Sequence, residues 1–453
     1  MVAHVPSPIA RRVVLWGPGS LCGLAALAVA MSFRAGRPSD ADRHDPQAVV
    51  SEWTSSGGVG GAHFSPLTEI SRDNVRLLRV AWAYRTGDVS RGTAGISATS
   101  FQATPIMVDG TLYFPTPFSR VVALDAETGS ERWVFDPRVD RSVTRRAYVT
   151  SRGVATWLDG TRSGTVCRRR IFVATVDARL IALDARTGAP CSDFGTRGQV
   201  DLRVGVRDLQ ADGLDYRQTA PPAVIDDLVI VGSCITDNQR VDAPSGVVRA
   251  FDARTGLLRW SWEPLADLAD PVSGMVAVSR RAFRAGAANA WGTISVDTAR
   301  GLVFVPTSSP SPDHFGGMRP GPNRNANSLV ALDARTGRLV WGFQLVHHDL
   351  WDYDVPAQPA LAHVMRGGER IPVAIAASKT GYLFLLHRAT GQPFFPPPSP
   401  AYIIIANAIW RILLEHLTRF AVSRARFKLG RRIEINSAMI PMTTSSSTSV
   451  KPV

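Results

Sequence analysis

A seven-residue pattern, Ala-(Leu or Phe)-Asp-Ala-x-Thr-Gly, recurs along the chain and constrains its fold more than any other feature. In three copies a tryptophan follows four residues after the glycine: 123–129 with Trp133, 250–256 with Trp260, and 331–337 with Trp341. Two further copies are less regular: 182–188 has Ser192 at that offset, and 385–391 has His387 for the Asp and Phe395 for the Trp. A repeated unit builds a scaffold, so features that occur once within it are the candidates for function.

The repeat predicts a strand, a tight turn and a second strand. Apolar residues alternate up to the Asp, and Asp-Ala-x-Thr-Gly is turn chemistry because Asp accepts backbone hydrogen bonds and Gly tolerates positive φ. Another hairpin precedes most copies, which gives about four short strands per unit. The Asp residues of the four copies that keep this residue, at 125, 184, 252 and 333, are 59, 68 and 81 residues apart. This pattern favours an all-β fold, a β-propeller of four-stranded blades with inserted loops, over an all-β sandwich, which does not explain the recurring turn and tryptophan.

Residues 1–33 have the composition of an export segment. Arg11 and Arg12 precede an apolar stretch that runs from 21 to 33, interrupted upstream by Gly17-Pro18-Gly19. This predicts a signal peptide or a single membrane anchor, with a buried core helix as the alternative. Residues 34–49 are polar and contain proline, which predicts a linker. If the arginine pair stays inside, the rest of the chain lies outside the cytoplasm.

The net charge of +13 raises the possibility of a nucleic-acid partner, but its distribution argues against one. After residue 401 there are six Arg and two Lys against two Glu, which accounts for +6 of the total. The remaining arginines are scattered over predicted turns and form no basic stripe. We therefore expect no nucleic-acid partner.

The four cysteines fit no zinc-binding spacing. Cys167 and Cys191 flank a predicted hairpin, 171–183, and could form a disulfide in an exported protein. Buried free thiols are the alternative, and the sequence does not decide between the two. The Gly-rich segment 53–70 also lacks the Gly-Lys-Ser/Thr ending of a phosphate-binding loop.

The segment 347–354, His-His-Asp-Leu-Trp-Asp-Tyr-Asp, occurs once and is the densest group of ionisable side chains. A carboxylate here could act as a general base, or be a solvated or turn-capping acid. His347 and His348 invite a metal interpretation, but adjacent residues of a strand point to opposite faces. We interpret these histidines as structural, or as residues that support the side chains of the site without binding a metal.

Lys379 is the first lysine of a chain that otherwise uses arginine; the next is Lys428. Such an isolated lysine suggests a site where a compact ammonium is needed and a planar guanidinium will not serve. A surface lysine placed by chance is the alternative.

Several separate segments together resemble one enzyme family. They are 53–67, 101–105, 151–154, 173–180, 289–291 and 347–359. In this order they are similar to the pyrroloquinoline quinone (PQQ) dependent alcohol and sugar dehydrogenases, and most similar to the membrane-bound glucose, quinate and shikimate branch. The resemblance covers roughly residues 50–396 and implies an eight-bladed propeller with PQQ and calcium (Ca2+) on its axis. It further implies oxidation of an aldose or a cyclic polyol, a membrane quinone as electron acceptor, and a place on the periplasmic side of the bacterial inner membrane, anchored or exported.

The resemblance assigns roles to individual residues of this chain. Asp352 matches the catalytic base, which takes the substrate hydroxyl proton while hydride leaves carbon. Lys379 matches the residue at the reactive quinone edge, where a cation stabilises developing negative charge. Asp237 and Asn238 match the metal position, since carboxylate and amide oxygens suit calcium, although Asp-Asn alone is a common turn.

Four further residues are assigned to the cofactor by the same resemblance. Trp291 matches the indole that stacks on the PQQ ring, with a core tryptophan as the alternative. Arg152 matches the arginine that binds a PQQ carboxylate, and Thr219 matches a polar contact to the ring. Gln102 stands where many relatives have Glu; it keeps the hydrogen bonding and loses the charge, which leaves its contact to the cofactor open.

The resemblance ends near residue 396, and 397–453 is expected to be a divergent basic and apolar tail. Its first half could form a helix lying on a membrane, or be unrelated sequence, which we favour. Blades are expected near 66–90, 101–135, 170–194, 222–262, 291–343 and 371–396. About six blades of an eight-bladed plan would form an open arc. A non-catalytic propeller, either a scaffold or a decayed fragment of such a dehydrogenase, is therefore the alternative function.

Overall fold

The computed structural model describes residues 52–92, 96–141, 149–238, 240–265 and 285–395. The predicted export segment, the linker and the tail beyond 396 lie outside these residues. Two units are distinguished, Met1–Phe394 and Phe395–Val453, and all the sheets belong to the first. Within the described ranges no helix is long and apolar enough to cross a bilayer.

In the described ranges, antiparallel sheets account for almost all the regular structure. The first sheet contains β1 (Ile106–Val108), β2 (Thr111–Pro115), β3 (Val121–Asp125) and β4 (Glu131–Phe135). The second contains β5 (Ala155–Leu158), β6 (Arg169–Ala174), β7 (Arg179–Asp184) and β8 (Gln199–Asp201), and is followed by β9 (Tyr216–Arg217). The third contains β10 (Ala223–Ile225), β11 (Leu228–Val231), β13 (Val248–Asp252) and β14 (Leu258–Trp262), while β12 (Cys234–Ile235) pairs with β9.

The last two sheets complete the set. The fourth contains β15 (Ser295–Asp297), β16 (Leu302–Pro306), β17 (Ser328–Asp333) and β18 (Leu339–Gln344). The fifth has β19 (Ala360–Arg366), β20 (Glu369–Ala377) and β21 (Leu383–His387). Short 3-10 helices cover Val59–Gly61, Val75–Leu77 and Gly316–Met318. The all-β propeller prediction is confirmed: the first strands of successive sheets contact one another, β5 with β10, β10 with β15 and β15 with β19.

The repeated turn has the structure that its sequence predicts. In the first copy Asp125 Oδ1 accepts hydrogen bonds from the Thr128 backbone and hydroxyl, both at 2.9 Å, and Gly129 has φ 72°. The same contacts recur at Asp184, Asp252 and Asp333. Glycine is required because its φ is positive and because a neighbouring blade approaches closely.

That neighbour is the repeated tryptophan of the preceding blade. A Cβ placed on Gly188 would lie 2.6 Å from the Trp133 ring, and one on Gly337 would lie 2.6 Å from Trp260. Each of these indoles also donates to the backbone carbonyl that follows the next turn Asp, Trp133 to Ala185 at 3.0 Å and Trp260 to Ala334 at 2.7 Å. The fixed spacing of the aromatic therefore comes from a joint between blades. Trp341 makes the same joint with the degenerate copy.

The blade expected near 66–90 differs from the prediction, because these residues form no strand. An extended segment becomes a strand only where another segment hydrogen-bonds along it. In the described part of the chain 66–90 forms no such ladder, although the Ser90 carbonyl at its end accepts from the Thr99 N–H at 3.0 Å. The segment still makes the contact between a tryptophan and the glycine of the next copy. Trp82 packs against Gly129, and Tyr84 Oη donates to Glu131 at 2.7 Å. The described residues thus contain five sheets that correspond to blades.

The core consists of apolar layers between neighbouring sheets. One layer joins the first and second sheets, one the second and third, one the third and fourth, and one the fourth and fifth. Because each sheet buries both faces, its strands are apolar on alternate and often on successive residues. In the second sheet Cys167 and Cys191 form a disulfide with Cα atoms 5.8 Å apart, which settles the choice that the sequence left open.

The Gly-rich segment crosses from the first sheet to the last two. Trp53 pairs with Met107 at the edge of β1, with hydrogen bonds of 2.7 and 2.9 Å. A few residues later, Cβ atoms on Gly60 and Gly61 would lie 2.9 Å from Leu361 and 2.7 Å from Ser295. Both glycines have positive φ. The segment is thus a strap between blades, and its glycines permit close packing of the backbone.

Candidate active site

The segment 349–354 forms a loop between the fourth and fifth sheets. Asp349 is 2 % exposed, and its carboxylate accepts hydrogen bonds from the backbone N–H groups of Trp351 (3.0 Å) and Tyr353 (2.6 Å). Asp352 lies between these two residues and has φ 58°, a left-handed conformation uncommon for a residue with a side chain. The loop therefore turns around the buried Asp349 and leaves Asp352 partly exposed.

Lys379 contacts the loop from beyond β20. Its Nζ donates to the Asp352 backbone oxygen at 2.7 Å and lies 3.2 Å from Asp352 Oδ2 and 3.4 Å from Asp354 Oδ2. The side chains of Lys379 and Asp352 are 31 % and 24 % exposed, so both remain accessible to a small molecule. The lysine singled out by its rarity is therefore paired with the acid assigned as the base.

Asp354 connects this pair to Trp291. Its Oδ2 accepts a hydrogen bond from Trp291 Nε1 at 2.9 Å, and its Oδ1 accepts one from the Ser309 backbone at 2.7 Å. On the other side of the indole, the Arg152 guanidinium lies 5.0 Å from the ring centroid. Four residues from four separate segments of the sequence thus form one continuous arrangement: Arg152, Trp291, Asp354 and Lys379.

Excess negative charge raises the pKa of several acids here. Burial, with the nearby Asp354, raises the pKa of Asp352 to about 6, against the opposing effect of Lys379. Burial also raises the pKa of Asp237 to about 7 and that of Asp313 to about 10, and the negative charge of Asp237 further raises the pKa of Asp313. Such a pair holds one proton between its members near neutral pH. Burial lowers the pKa of Lys379, but Asp354 and Asp352 outweigh it and the pKa is raised overall.

Several buried donors around Arg152 have no protein partner. Thr219 Oγ1, Ser151 Oγ and Gln218 Nε2 are buried and make no hydrogen bond, although the Thr219 carbonyl accepts the Arg152 N–H at 2.9 Å. Burial lowers the pKa of Arg152. Its guanidinium donates a hydrogen bond to the Trp291 backbone carbonyl at 3.4 Å. A desolvated cation beside unpaired donors suits an anionic ligand.

The other predicted residues have no described contact with Arg152, Trp291, Asp354 or Lys379. Gln102 is exposed, and its amide donates to Ser100 Oγ at 3.2 Å. Asn238 is exposed with φ 64°, as in a turn. His348 Nδ1 contacts the Gly321 carbonyl at 2.7 Å, in agreement with a structural role. The roles of Gln102 and Asn238 stay predictions.

Sequence reasoning missed Asp313, Ser309 and the separate roles of Asp349 and Asp354. Asp354 could have been found, because it completes the Asp-Tyr-Asp of the unique segment. Asp313 follows a Ser- and Pro-rich stretch, 307–312, whose composition is that of an ordinary loop. Only the fold brings it to Asp237.

Comparison with known families decides the affiliation. Residues 53–398 match the family described as PQQ, glucose/ethanol/alcohol dehydrogenase, beta-propeller domain. The chain belongs to this family. It is 36 % identical over 413 residues to the quinoprotein glucose dehydrogenase of Escherichia coli (strain K12), which covers 86 % of this chain and 50 % of that protein. It is also 35 % identical to the quinate/shikimate dehydrogenase (quinone) of Acinetobacter baylyi, over 77 % of this chain and 44 % of the relative.

The solved structures agree. A quinohemoprotein alcohol dehydrogenase from Pseudomonas putida superimposes with a TM-score of 0.62 at 30 % identity, covering 76 % of this chain and 47 % of the other. The chain spans about half the length of the curated relatives it matches. The assignment to the glucose and quinate/shikimate branch of PQQ-dependent dehydrogenases, made from the motifs, is confirmed.

The residues of this family member fit its cofactor. PQQ is a planar quinone that carries carboxylates, so it needs an aromatic face, a cation for its acidic groups and hydrogen-bond donors. Trp291 would present the face, Arg152 the cation, and the unpaired hydroxyl groups of Thr219 and Ser151 the donors. Lys379 would stand at the reactive edge, since it is the ammonium that contacts Asp352.

Proposed function

We propose that this chain carries PQQ-dependent dehydrogenase activity toward an aldose or a cyclic polyol, with a membrane quinone as the electron acceptor. The observation that carries the proposal is the contact of Lys379 with Asp352, 3.2 Å between Nζ and Oδ2, beside the Trp291 indole. A base and a cation in contact are the groups needed to remove a hydroxyl proton and to stabilise charge on an acceptor.

The reaction divides into a proton and a hydride. When bound, PQQ supplies the two-electron acceptor for the hydride. Asp352 takes the hydroxyl proton; with a pKa of about 6 it is ionised at neutral pH and still more basic than an ordinary aspartate. Lys379 stays protonated, because Asp354 and Asp352 raise its pKa. It therefore holds positive charge at the acceptor edge throughout.

The substrate class rests on the relatives. They are named for glucose, for quinate and shikimate, and for glycerol, which are all polyhydroxylated small molecules. The partly exposed Asp352 and Lys379 leave a small molecule access to the base. A sugar or cyclic polyol is the proposal; no nucleic acid takes part.

Calcium is part of the proposal through Asp237 and Asp313. Asp313 Oδ1 is buried without a partner, and the two acids repel further negative charge, which a divalent cation would relieve. Among the described residues, no group of three or more His, Cys, Asp or Glu side chains could hold a metal ion. In this proposal the pair supplies two of the ligands and Asn238 is the predicted third, with the remaining oxygens from other donors.

The location on the periplasmic side of the bacterial inner membrane, anchored or exported, is also a proposal. It is supported by the buried Cys167–Cys191 disulfide, since such bonds persist in oxidising compartments.

The test uses the full chain with added PQQ and Ca2+, and measures dye reduction with aldoses, quinate and glycerol. Asp352→Asn is the matched variant; it should bind PQQ as the unchanged chain does and lose at least roughly 100-fold in turnover. A chelator should weaken PQQ binding, followed by cofactor absorbance, in the unchanged chain and not in Asp237→Asn. PQQ binding without turnover on any of these substrates would instead support the non-catalytic propeller.

A further inference from the structure

The carboxylate of Asp349 is saturated with hydrogen bonds and is not part of the reacting group. It accepts from Ser309 Oγ at 2.6 Å and from Asn327 Nδ2 at 3.1 Å, in addition to the two loop N–H groups. All four partners are donors, and the side chain is 2 % exposed. Only a carboxylate accepts at both oxygens without presenting a proton of its own.

The two loop N–H groups belong to Trp351 and Tyr353, the residues on either side of Asp352. Fixing both neighbours fixes the backbone of the residue between them. That residue is in the left-handed region, which is disfavoured for a residue with a Cβ and persists only where the surroundings enforce it. Asp349 supplies that enforcement from inside the loop.

Ser309 ties both ends of the loop to one point. Its hydroxyl donates to Asp349, and its backbone N–H donates to Asp354 Oδ1 at 2.7 Å. The Ser309 carbonyl in turn accepts from the Ala288 backbone at 3.0 Å, on the segment that leads to Trp291. The loop that carries the base and the segment that carries the indole therefore share an anchor.

We propose that Asp349 is a positioning residue for the dehydrogenase reaction, and that with Ser309 it forms a clamp that holds Asp352 against Lys379. The inference rests on the proposed function for its kinetic part only. Asp349 reaches neither Lys379 nor Trp291 in the described contacts, so its loss should affect the placement of Asp352 and leave the cofactor face in place.

The kinetic experiment compares Asp349→Asn with the unchanged holoenzyme. The side-chain NH2 of the asparagine would face hydrogen-bond donors of the loop and its surroundings, so the loop loses hydrogen bonds that hold its backbone. A displaced reacting group costs about 10- to 100-fold in kcat, with KM for the substrate and the PQQ affinity expected within about 3-fold. Ser309→Ala removes one of the four hydrogen bonds and keeps the backbone donor to Asp354; it should give a smaller loss. In the double variant the two losses should not add, because both act through one clamp.

A second readout is independent of turnover. The chain contains three lysines, Lys379, Lys428 and Lys451, so lysine labelled with 13C at Cε gives three NMR signals. Lys379→Arg assigns its own signal by removing it. Asp349→Asn and Asp352→Asn should both shift the Lys379 signal in the same direction, because the first moves the Asp352 carboxylate away from the ammonium and the second removes its charge.

Asp184→Asn is the matched control. Asp184 is equally buried and also accepts four hydrogen bonds, from Cys167, Arg186 and Thr187, but it caps a turn of the second sheet. It should lower the melting temperature without moving kcat or the Lys379 signal. The proposal is overturned if Asp349→Asn leaves both kcat and the Lys379 signal unchanged, or if kcat falls only in proportion to lost PQQ binding. A shifted signal in a chain inactive on every substrate would keep the clamp and reject the dehydrogenase function.

Discussion

Trp291 Nε1 lies 2.9 Å from Asp354 Oδ2. The indole whose face is assigned to the cofactor thus donates its N–H to the same carboxylate oxygen that faces Lys379. Asp354 therefore links the Trp291 indole to the charge at Asp352. It acts on Asp352 through its negative charge and not through a hydrogen bond. This arrangement leads to the first prediction.

Replacing Asp354 by Asn should move the pH dependence of turnover. Asp354 is the main charge that raises the pKa of Asp352 to about 6, after burial itself. Activity requires ionised Asp352, so it rises with pH through this pKa. In Asp354→Asn the raising charge is gone, and the acidic limb of kcat/KM should move to lower pH. A limb that moves upward or stays in place would contradict the assignment of Asp352 as the base.

The rarity of lysine predicts that Lys379→Arg will not restore function. Nζ contacts the Asp352 carbonyl, Asp352 Oδ2 and Asp354 Oδ2 within 3.4 Å, an arrangement around a point that a planar fork cannot reproduce. We expect turnover to fall about 10- to 100-fold in Lys379→Arg. Lys379→Ala should also loosen PQQ, measured by titration of cofactor absorbance. Normal turnover in Lys379→Arg would show that charge alone is sufficient.

An ion pair between the buried Asp159 of the second sheet and the partly exposed Arg254 of the third should control acid stability. The Arg254 guanidinium lies 2.9 Å from Asp159 Oδ2 and holds the pKa of Asp159 well below its usual range. Because the folded pKa is depressed, this stability is present above the unfolded pKa of about 4 and is lost as pH falls through the folded value. Melting temperatures from pH 7 to 2 should decline less steeply in Asp159→Asn, which is less stable at pH 7. A parallel decline in both proteins would assign acid unfolding to other groups.

Reduction of the disulfide should destabilise the chain without touching the site. Cys167 and Cys191 are 24 residues apart in sequence and close a loop in the second sheet. Closing a loop of this length stabilises by roughly 3 kcal/mol, chiefly through the unfolded state. Urea unfolding with and without reductant should show a loss of this order, and the double Ser variant should be insensitive to reductant. PQQ affinity at low urea should be equal in all these samples.

Local features of the fold were predictable, and long-range ones were not. The Asp-x-x-Thr-Gly turn is decided within five residues, so Asp125 and Gly129 behave as their types require. The offset of Trp133 is equally regular, but its partner, Gly188, is set by the packing of blades. The absence of strands at 66–90 depends on partners that no local pattern reveals. The disulfide was undecidable because its geometry is fixed by two separate loops.

The candidate site shows the same division. Asp352, Lys379, Trp291 and Arg152 were found through their motifs, and the structure brings them together. Asp313 and Ser309 were not found, because serine and aspartate in a Pro-containing loop carry no distinctive spacing. They matter because the fold brings them close to residues that are distant in sequence, Ser309 to Asp349 and Asp313 to Asp237.

The joint between blades, an indole lying on a residue that has no Cβ, has a consequence for how such chains change over evolutionary time. The joints at Gly188, Gly337 and Gly391 each use one tryptophan and one glycine at fixed places in the repeat; Gly256 meets Gly195 and Val200 instead, because the preceding copy has Ser192 at the tryptophan position. Units of 59 and 81 residues therefore end in the same joint. Insertions can accumulate between the joints and remodel what the protein recognises, while the coupling of one blade to the next stays the same. The loops that can change what the protein binds and the residues that join one blade to the next are thus different parts of the same repeat.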